Sequence, residues 1–483
     1  MTSAVRSKAV VQRMVMADAA RMFEGGMNQR LTQSWDSTSY TADQVIYSQL
    51  PTLRARARHQ LRNNDYVARL DSMLKSNVVG SNGFNARSQI RDAKGEPDLA
   101  ARSAVQQGWR EFSDQVGLIE LCDLVVTGLI TDGEALVFLR QTKKGELRPE
   151  LIDPVRLDVE YNRSDSGKNL ILMGIEYDAH LTPVAYHIND SYEGNHPGQG
   201  EQGHPQMKRT RITADRMIHV FKKQFVGQKR GVPLIAVSLN RLFQMGRYEE
   251  AALTAARIGA AKMGFFSSSE DDEYKGDNGD NMTINAEAGT FENIGDLKFQ
   301  AFDPTYPAGE FTSFMNRALQ GLAGGFGVDY PILGNDMANV NYSSARIGMM
   351  ETRELYKTIQ NFLIRNLIRP IYKSWLALSL FAARLTIKNR PLNRGLDYYL
   401  PMEFVGRRWD WVDPQKDANG QKTLVDLRVK SVSQIIREQG GDPLEVFSEI
   451  AEEQAMMREL GISTQQVFQK LEGQHASKSN TAD

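Results

Sequence analysis

Asn341-Tyr342-Ser343-Ser344-Ala345-Arg346 stands between a turn-rich segment, 334–341, and a helical run carrying Ile347, Met350, Leu355, Ile359, Phe362, Leu363, Leu367 and Ile371 on one repeating face. The six residues hold no catalytic constellation, so their value is architectural: they join a loop to a helix. Pro370 falls inside the helical run and bends or restarts it. Upstream, 309–326 reads as another helix, and 236–266 as a third. Between those two lies an acidic, glycine-rich insert from Glu270-Asp271-Asp272-Glu273 through Asp277 and Asp280, followed by strand-like pieces at 289–292 and 297–302. An irregular excursion is thus bracketed by two helices, then a loop, then a long helix.

The helix at 236–266 is unusual in composition. Leu239, Leu242 and Phe243 keep the 3.6 period, after which Ala251, Ala252, Ala255, Ala256, Gly259, Ala260 and Ala261 form a surface of small residues that lets another helix approach closely. Two readings stay open: a helix buried in its own domain, or one packed beside copies of itself. The acidic insert lacks the alternating oxygen ligands and fixed glycine of a calcium loop, and reads as a solvated loop.

The N-terminal part is helical. Arg54, Arg58 and Arg62 recur every fourth residue, Arg56 departs from their face, and Asn63-Asn64-Asp65 caps a new helix that ends at a turn containing Gly80 and Gly83. With no interleaved aromatic residues to stack bases, the arginine row is expected to be a solvated or subunit-facing stripe. From 118 to 220 the pattern changes to strands at 135–140, 174–178, 184–188 and 217–221, with 178–183 as a hairpin turn. This is a mixed α+β unit without regular βαβ alternation. After 414 the chain is again helical, Gly440-Gly441-Asp442-Pro443 acts as a break and cap, and the residues from 473 read as a disordered tail.

A chain of 483 residues exceeds what one core usually serves, and two or more units are expected. The formal net charge of -1 excludes a generally basic nucleic-acid coat. Cys122 is the sole cysteine, so neither a disulfide framework nor a cysteine-based zinc site is expected, in keeping with a reducing cytoplasm. No stretch reaches the length of a membrane span, and the first residues lack the apolar core of a secretory leader.

Enzyme chemistry leaves few traces. GxxxxGK[ST], HExxH and GxSxG do not occur, and Gly198-Gln199-Gly200-Glu201-Gln202-Gly203 satisfies GxGxxG only in a loop that leads to Pro205. His187 and His219 read as strand residues near a core, His196 and His204 as loop residues, and His180 as part of a turn. Asp132, Glu134, Asp153 and Asp158 could hold magnesium if they converged. Asp132-Gly133-Glu134 reads instead as a turn feeding a strand, and Asp153-Pro154 as a turn opener. No catalytic, cofactor-binding or metal-binding residue is assigned.

A series of segments then appears in a specific order. It runs from 53–80, with Arg54, Arg56, Arg58, Arg62 and Asn77-Val78-Val79-Gly80, to Asp132-Gly133-Glu134-Ala135 and Leu151-Ile152-Asp153-Pro154-Val155-Arg156-Leu157-Asp158. Gly174-Ile175-Glu176-Tyr177-Asp178, Pro183-Val184-Ala185-Tyr186-His187-Ile188 and Arg216-Met217-Ile218-His219-Val220-Phe221 follow. Gly227-Gln228-Lys229-Arg230-Gly231-Val232-Pro233, the opening hexapeptide and Trp411-Val412-Asp413-Pro414 complete it. In this order they resemble the lambda-type phage portal proteins, over about 50–425.

That resemblance implies an α+β, predominantly helical portal fold with a wing, a stem, a clip and a crown, assembled as a ring around a channel. It places the wing at 1–235, the first stem helix at 236–267, the clip at 268–305, the second stem helix at 306–328 and a tunnel loop at 329–343. The long helix and return to the wing would span 344–424, and the helical crown 425–472. Asn335, Asp336, Met337, Asn339 and Asn341 would face DNA. Tyr342, Ser343, Ser344 and Arg346 would anchor the loop and touch a neighbouring subunit. Asp271, Asp272, Asp277, Asp280, Phe291 and Phe299 would serve docking at the clip, and Ala252, Ala255, Ala256 and Gly259 stem packing. The implied partners are further copies of the chain (twelve in such families), double-stranded DNA, the terminase large subunit, capsid and scaffold proteins, and head-tail connectors, with no membrane. Assembly would occur in the host cytoplasm, and residence at the portal vertex of the virion. The rival readings are a metal-dependent DNA-processing enzyme and a capsid structural protein without a channel.

Overall fold

Helix α1 (Ala42–Asn63) opens with a capping box: the Thr41 side chain accepts from the Gln44 N–H, and the Gln44 side chain accepts from the Thr41 N–H. Its buried residues are Ile46, Leu50, Arg54 and Ala57, one stripe at helical spacing. Pro51 lies within the helix, where it cannot donate to the carbonyl one turn back. Asn64 caps α2 (Asp65–Leu74) by accepting from the Tyr66 and Val67 N–H groups, and a π turn, Lys75–Val79, runs from α2 to Gly80 at φ 70. The coordinates are a computed structural model, which describes residues 39–166, 168–190, 208–260, 264–267, 298–301, 311–336, 342–409 and 414–461.

Strand β1 (Asn85–Ser88) precedes two helices, α3 (Leu99–Val116) and α4 (Leu118–Thr131), which share the left-handed Gly117 as their joint. The β-rich part follows as β2 (Glu134–Gln141), β3 (Leu147–Ile152), β4 (Leu170–Leu172), β5 (Ile175–Tyr177), β6 (Pro183–Asn189), β7 (Arg209–Thr213) and β8 (Met217–Phe221). All pairings are antiparallel: β2 sits between β3 and β8, and β4 to β7 form a four-stranded meander. Leu136, Ile152, Leu157, Ile175, Tyr177, Tyr186, Ile188 and Met217 fill the space shared by the two sheets. Each strand expected from alternation is present, and Asp178 closes the β5–β6 turn by accepting from the His180 and Thr182 N–H groups.

Next come α5 (Leu239–Ala260), β9 (Gly264–Ser267), β10 (Lys298–Ala301) and α6 (Phe311–Phe326). The helix expected at 236–266 therefore does not reach its expected end. Phe265 and Phe266 belong to a strand paired with Phe299 and Gln300, because a short apolar run takes whichever backbone state its distant partner offers. Helix α7 (Tyr330–Gly334) leads toward α8 (Tyr342–Leu363), which passes through a second π turn, Ile364–Ile368, into α9 (Arg369–Phe381). Pro370 sits in the first turn of α9, so the long helix restarts where the hydrogen-bond pattern has already changed.

A hairpin of β11 (Thr386–Ile387) and β12 (Arg390–Pro391), the short α10 (Leu396–Tyr399) and β13 (Met402–Val405), paired with β1, bring the chain back to the core. There Trp109 of α3 meets Tyr372 and Trp375 of α9 and Phe404 of β13, with ring centroids 5.3, 5.4 and 5.8 Å away, all edge-on. Gln360 of α8, buried, donates to the carbonyls of Asn77, Val78 and Arg407, and Trp409 Nε1 donates to Asn77 Oδ1 at 2.9 Å. The long helix is thereby fastened to the first π turn. Helices α11 (Pro414–Asp426), α12 (Val432–Glu438) and α13 (Pro443–Glu459) complete the described chain. Asp442 caps α13 as the Gly-Gly-Asp-Pro reading anticipates.

Candidate functional site

Glu134 opens β2 and is fully buried. A carboxylate there needs counter-charge and donors, and Arg54, Arg230, His219 and the Gly231 N–H, from three segments of the chain, supply them. Arg54 Nη2 of α1 lies 2.6 Å from Oε1, and Arg230 donates to Oε1 through Nη2 (2.7 Å) and Nε (2.9 Å). His219 Nε2 of β8 lies 3.0 Å from Oε2, and the Gly231 N–H donates to Oε2 at 2.8 Å. Arg230, with no exposed surface, also donates to the carbonyls of Met173 (2.7 Å) and Leu157 (3.0 Å). At the rim, Arg58 joins Asp132 and Asp153, each at 2.7 Å, while Asp153 caps a 3-10 turn by accepting from the Val155 N–H.

The arginine row expected to be a solvated or subunit-facing stripe therefore turns inward over its first two members, while Arg62 stays exposed. Arg54 is buried and Arg58 half-buried, because α1 presents this face to the β2 turn. Three of the four carboxylates weighed as metal ligands do converge, and Asp158 pairs separately with Arg209 at 2.8 Å. Guanidinium groups stand where a cation would have to sit, and among the described residues no cluster of three potential ligands is arranged to hold a metal. Gly133 and Gly231 let the two backbones cross: a Cβ on Gly231 would lie 2.1 Å from the Gly133 carbonyl oxygen.

Burial alone would raise the Glu134 carboxyl, but Arg230, Arg54 and His219 together hold it well below its ordinary 4.5. Burial lowers His219, which stays neutral and donates to Glu134. On the outer sheet, Arg211 above all takes Glu176 down to about 2, with Asn169 and His187 as further donors. A depressed folded value stabilises above the unfolded value and is lost as pH falls. Asp132, raised by burial, acts in the opposite direction. The expected result is constant stability from these groups above pH ~6.5, a shallow decline below it as His219 gains its unfolded-state proton, and a steeper one from pH ~5 toward 2. Urea titrations at stepped pH check this; a stability maximum below pH 4 would contradict it.

The expected channel loop is partly helical at its start. Asn335 ends α7 in the left-handed region at φ 50, the Asp336 N–H donates to the Pro331 carbonyl, and Tyr330 Oη donates to Asp336 Oδ2 at 2.8 Å. The Asp329 N–H donates to the buried Thr352 hydroxyl, which ties α7 to α8. Tyr342, Ser343 and Ser344 form the first turn of α8. Arg346 pairs with Asp417 of α11 at 2.9 Å, an intrachain contact that joins the long helix to the C-terminal helices. Met337, Asn339 and Asn341 lie outside the described residues, as do Asp271, Asp272, Asp277, Asp280, Phe291, His196, His204, Trp411 and the tail. Phe299 lies on β10 opposite Phe266. In α5, Ala252 and Ala255 are half-buried, Ala256 is exposed and Gly259 lies in the last turn.

Sequence reasoning missed Arg230 as the central cation and Gln360 as the brace of the long helix. Arg54 did carry a signal, since it occupies the buried stripe of α1 between Leu50 and Ala57.

These charged residues come from the ordered segments that carried the resemblance, and matching against known families agrees. The profile described as phage portal protein, lambda family, matches residues 28–360. A probable portal protein of Halomonas phage phiHAP-1 is 32% identical over 464 residues, covering 92% of this chain and 88% of that protein. Portal protein B of Escherichia phage lambda is 20% identical over 482 residues, covering 89% and 88%. Among solved structures, a chain from the virion of a native gene transfer agent particle aligns with TM-score 0.44 at 12% identity, over 82% of this chain and 94% of that one. An HK97 family phage portal protein from Corynebacterium diphtheriae aligns with TM-score 0.31 at 11% identity, over 75% and 96%. The chain belongs to the lambda family of phage portal proteins. Its fold is the α+β, predominantly helical portal fold, and its family is structural and not enzymatic.

Proposed function

We propose that the chain assembles as a closed ring, expected at twelve copies, at one capsid vertex. Its channel would pass double-stranded DNA inward during packaging and outward during ejection. In this reading 1–235 is the wing, α5 and α6 are the stem, β9, β10 and the residues between them the clip, and α12 and α13 the crown. Residues 335–341 narrow the channel, the terminase large subunit docks on the clip, and head-tail connectors replace it. Capsid and scaffold proteins surround the ring, which is built in the host cytoplasm and remains in the virion.

One observation supports the ring most directly. After Leu239, Leu242 and Met245, no described side chain of α5 is buried, and Leu253 is 57% exposed. A small-residue helix left uncovered by the described residues suits close packing against a second copy. Burial within its own domain, the other reading of this helix, is not given to α5 by the described residues.

Electron microscopy of the purified particle is expected to show a ring with a central hole, and light scattering a mass many times that of one chain. Monomers at every concentration and salt would overturn the reading. The motor is a separate ATPase here, so purified rings are expected to turn over no ATP.

A further inference from the structure

Helices α12 and α13 form a hairpin that leans on the rest of the chain with little to hold it there. A Cβ on Gly441 would meet Ile436 at 2.9 Å and Val446 at 3.4 Å, so the two helices close tightly on each other. Toward the body of the chain the contact is poor. Among the described residues no side chain from 414 to 461 is buried, and Leu444, Phe447 and Ile450 of α13 are all exposed. A groove of about 730 Å³ lies between α13 and α3. Among the described residues no hydrogen bond or ion pair crosses it.

The seat of the hairpin works against its own closure. The 440–442 turn rests on the end of β1, where Arg87 and Ser88 are both buried. Arg87 Nη2 donates to the Gly440 carbonyl, whereas Arg87 Nη1 and Ser88 Oγ are shut from solvent without a hydrogen-bond partner. Only three buried side-chain polar atoms among the described residues are in that condition, and two of them are on these neighbours. Arg54 and Arg230, equally buried, share Glu134, but among the described residues no carboxylate pairs with Arg87. A buried donor left unpaired has given up its water for nothing, and a guanidinium does so with a full charge. While the turn is down, neither solvent nor another chain can reach these atoms.

We propose that the α12–α13 hairpin is a hinged arm with two positions, seated on β1 and lifted from it, and that Arg87 keeps the seated position shallow. In the lifted position Arg87 and Ser88 regain water. Little opposes the move, because the seated arm buries so little apolar surface. A cavity of about 420 Å³ between the 440–442 turn, α3 and α4 means that the turn can rise without prising a packed core apart. The position of the arm is thereby open to control by any ligand that binds one of the two states better. These contacts lie within one chain, so the proposal stands apart from the ring reading.

Ser88→Cys makes the position of the arm measurable, because a thiol fits the place of the hydroxyl and reacts only when uncovered. Its labelling by a maleimide is compared with that of Ser103→Cys, exposed on α3. Cys122, buried, supplies the blank in the unsubstituted chain. The ratio of the two rates gives the lifted fraction, expected at about 0.1–10%. Adding Arg87→Met is expected to lower that fraction about tenfold, since an apolar stem remains and the unpaired charge is gone. If Arg87 were simply a strut, losing its bond to Gly440 would speed labelling, and faster labelling overturns the proposal. So does a rate no higher than that of Cys122, or one that climbs with urea as steeply as global unfolding. Hydrogen exchange repeats the measurement with Ser88 in place: its amide, which donates to Gln106 Oε1 at 3.3 Å, is expected to exchange more slowly in Arg87→Met than in the unsubstituted chain. An unchanged or faster exchange there also overturns the two-position arm.

Discussion

Glu134→Gln is expected to destabilise the chain by about 3–5 kcal/mol, the range for removing one partner of a buried ion pair. Its carboxylate neutralises Arg54 and Arg230, both shut away from water. The substituted amide is nearly isosteric, so no cavity opens, yet two buried guanidinium groups lose their counter-charge. Urea denaturation followed by tryptophan fluorescence measures the loss, and a change under 1 kcal/mol would mean that the hub is not what holds these elements together. Arg58→Met supplies the comparison: its side chain is 30% exposed, and burial already pushes Asp132 toward the neutral form. A smaller loss, about 1 kcal/mol, is expected there. Equal losses at the two positions would contradict the ranking by burial. Adding Arg230→Met to Glu134→Gln should recover part of the loss, since replacing a buried pair by apolar groups costs less than breaking it.

Gly231→Ala is expected to be at least as damaging, above about 3 kcal/mol, because overpacking against rigid backbone has no cheap relaxation. The added methyl would sit 2.1 Å from the Gly133 carbonyl oxygen and 2.8 Å from Glu134 Cβ. Relief would move the Gly231 N–H away from Glu134 Oε2, so the steric and electrostatic losses arrive together. Gly227→Ala is the control. Its φ is +80, yet nothing lies within 4 Å of the added Cβ, so only the strain of about 1 kcal/mol is expected. Thermal unfolding of the pair decides the matter, and similar melting temperatures would show that the backbone crossing tolerates a methyl.

Much of this fold was legible in the sequence, and what escaped shares one cause. Asn64 as a cap, Asp153-Pro154 as a turn opener, Asp442 as a cap and the strands β2, β5, β6 and β8 are decided within a few residues, and local pattern found them, whereas β3, β4 and β7 went unread. Arg54 and Arg58 were read as a solvated or subunit-facing stripe, and Glu134 only as part of a turn feeding a strand, because a charged side chain has the same letter in water and in a core. What decides between them is a partner 80 residues away. The same holds for Phe265 and Phe266, which continued a helix by composition but pair with residues beyond the insert. At the candidate site, Arg346 was expected to anchor the loop and touch a neighbouring subunit, and its intrachain partner Asp417, 71 residues on, could not be read from the sequence.

The hub also sets a schedule for making the protein. Glu134 leaves the ribosome 96 residues before Arg230, an interval on the order of 5–20 s at ordinary rates of synthesis. Throughout that interval α1, α4 and β2 can form, but they cannot close over a carboxylate that still lacks its main cation. This unit is therefore sealed late and from its C-terminal side, by a single dipeptide, Arg230-Gly231, that supplies the charge and the close backbone crossing together. Nascent chains ending before that dipeptide should remain protease-sensitive, whereas those ending after β8 and its following turn should turn resistant as one unit.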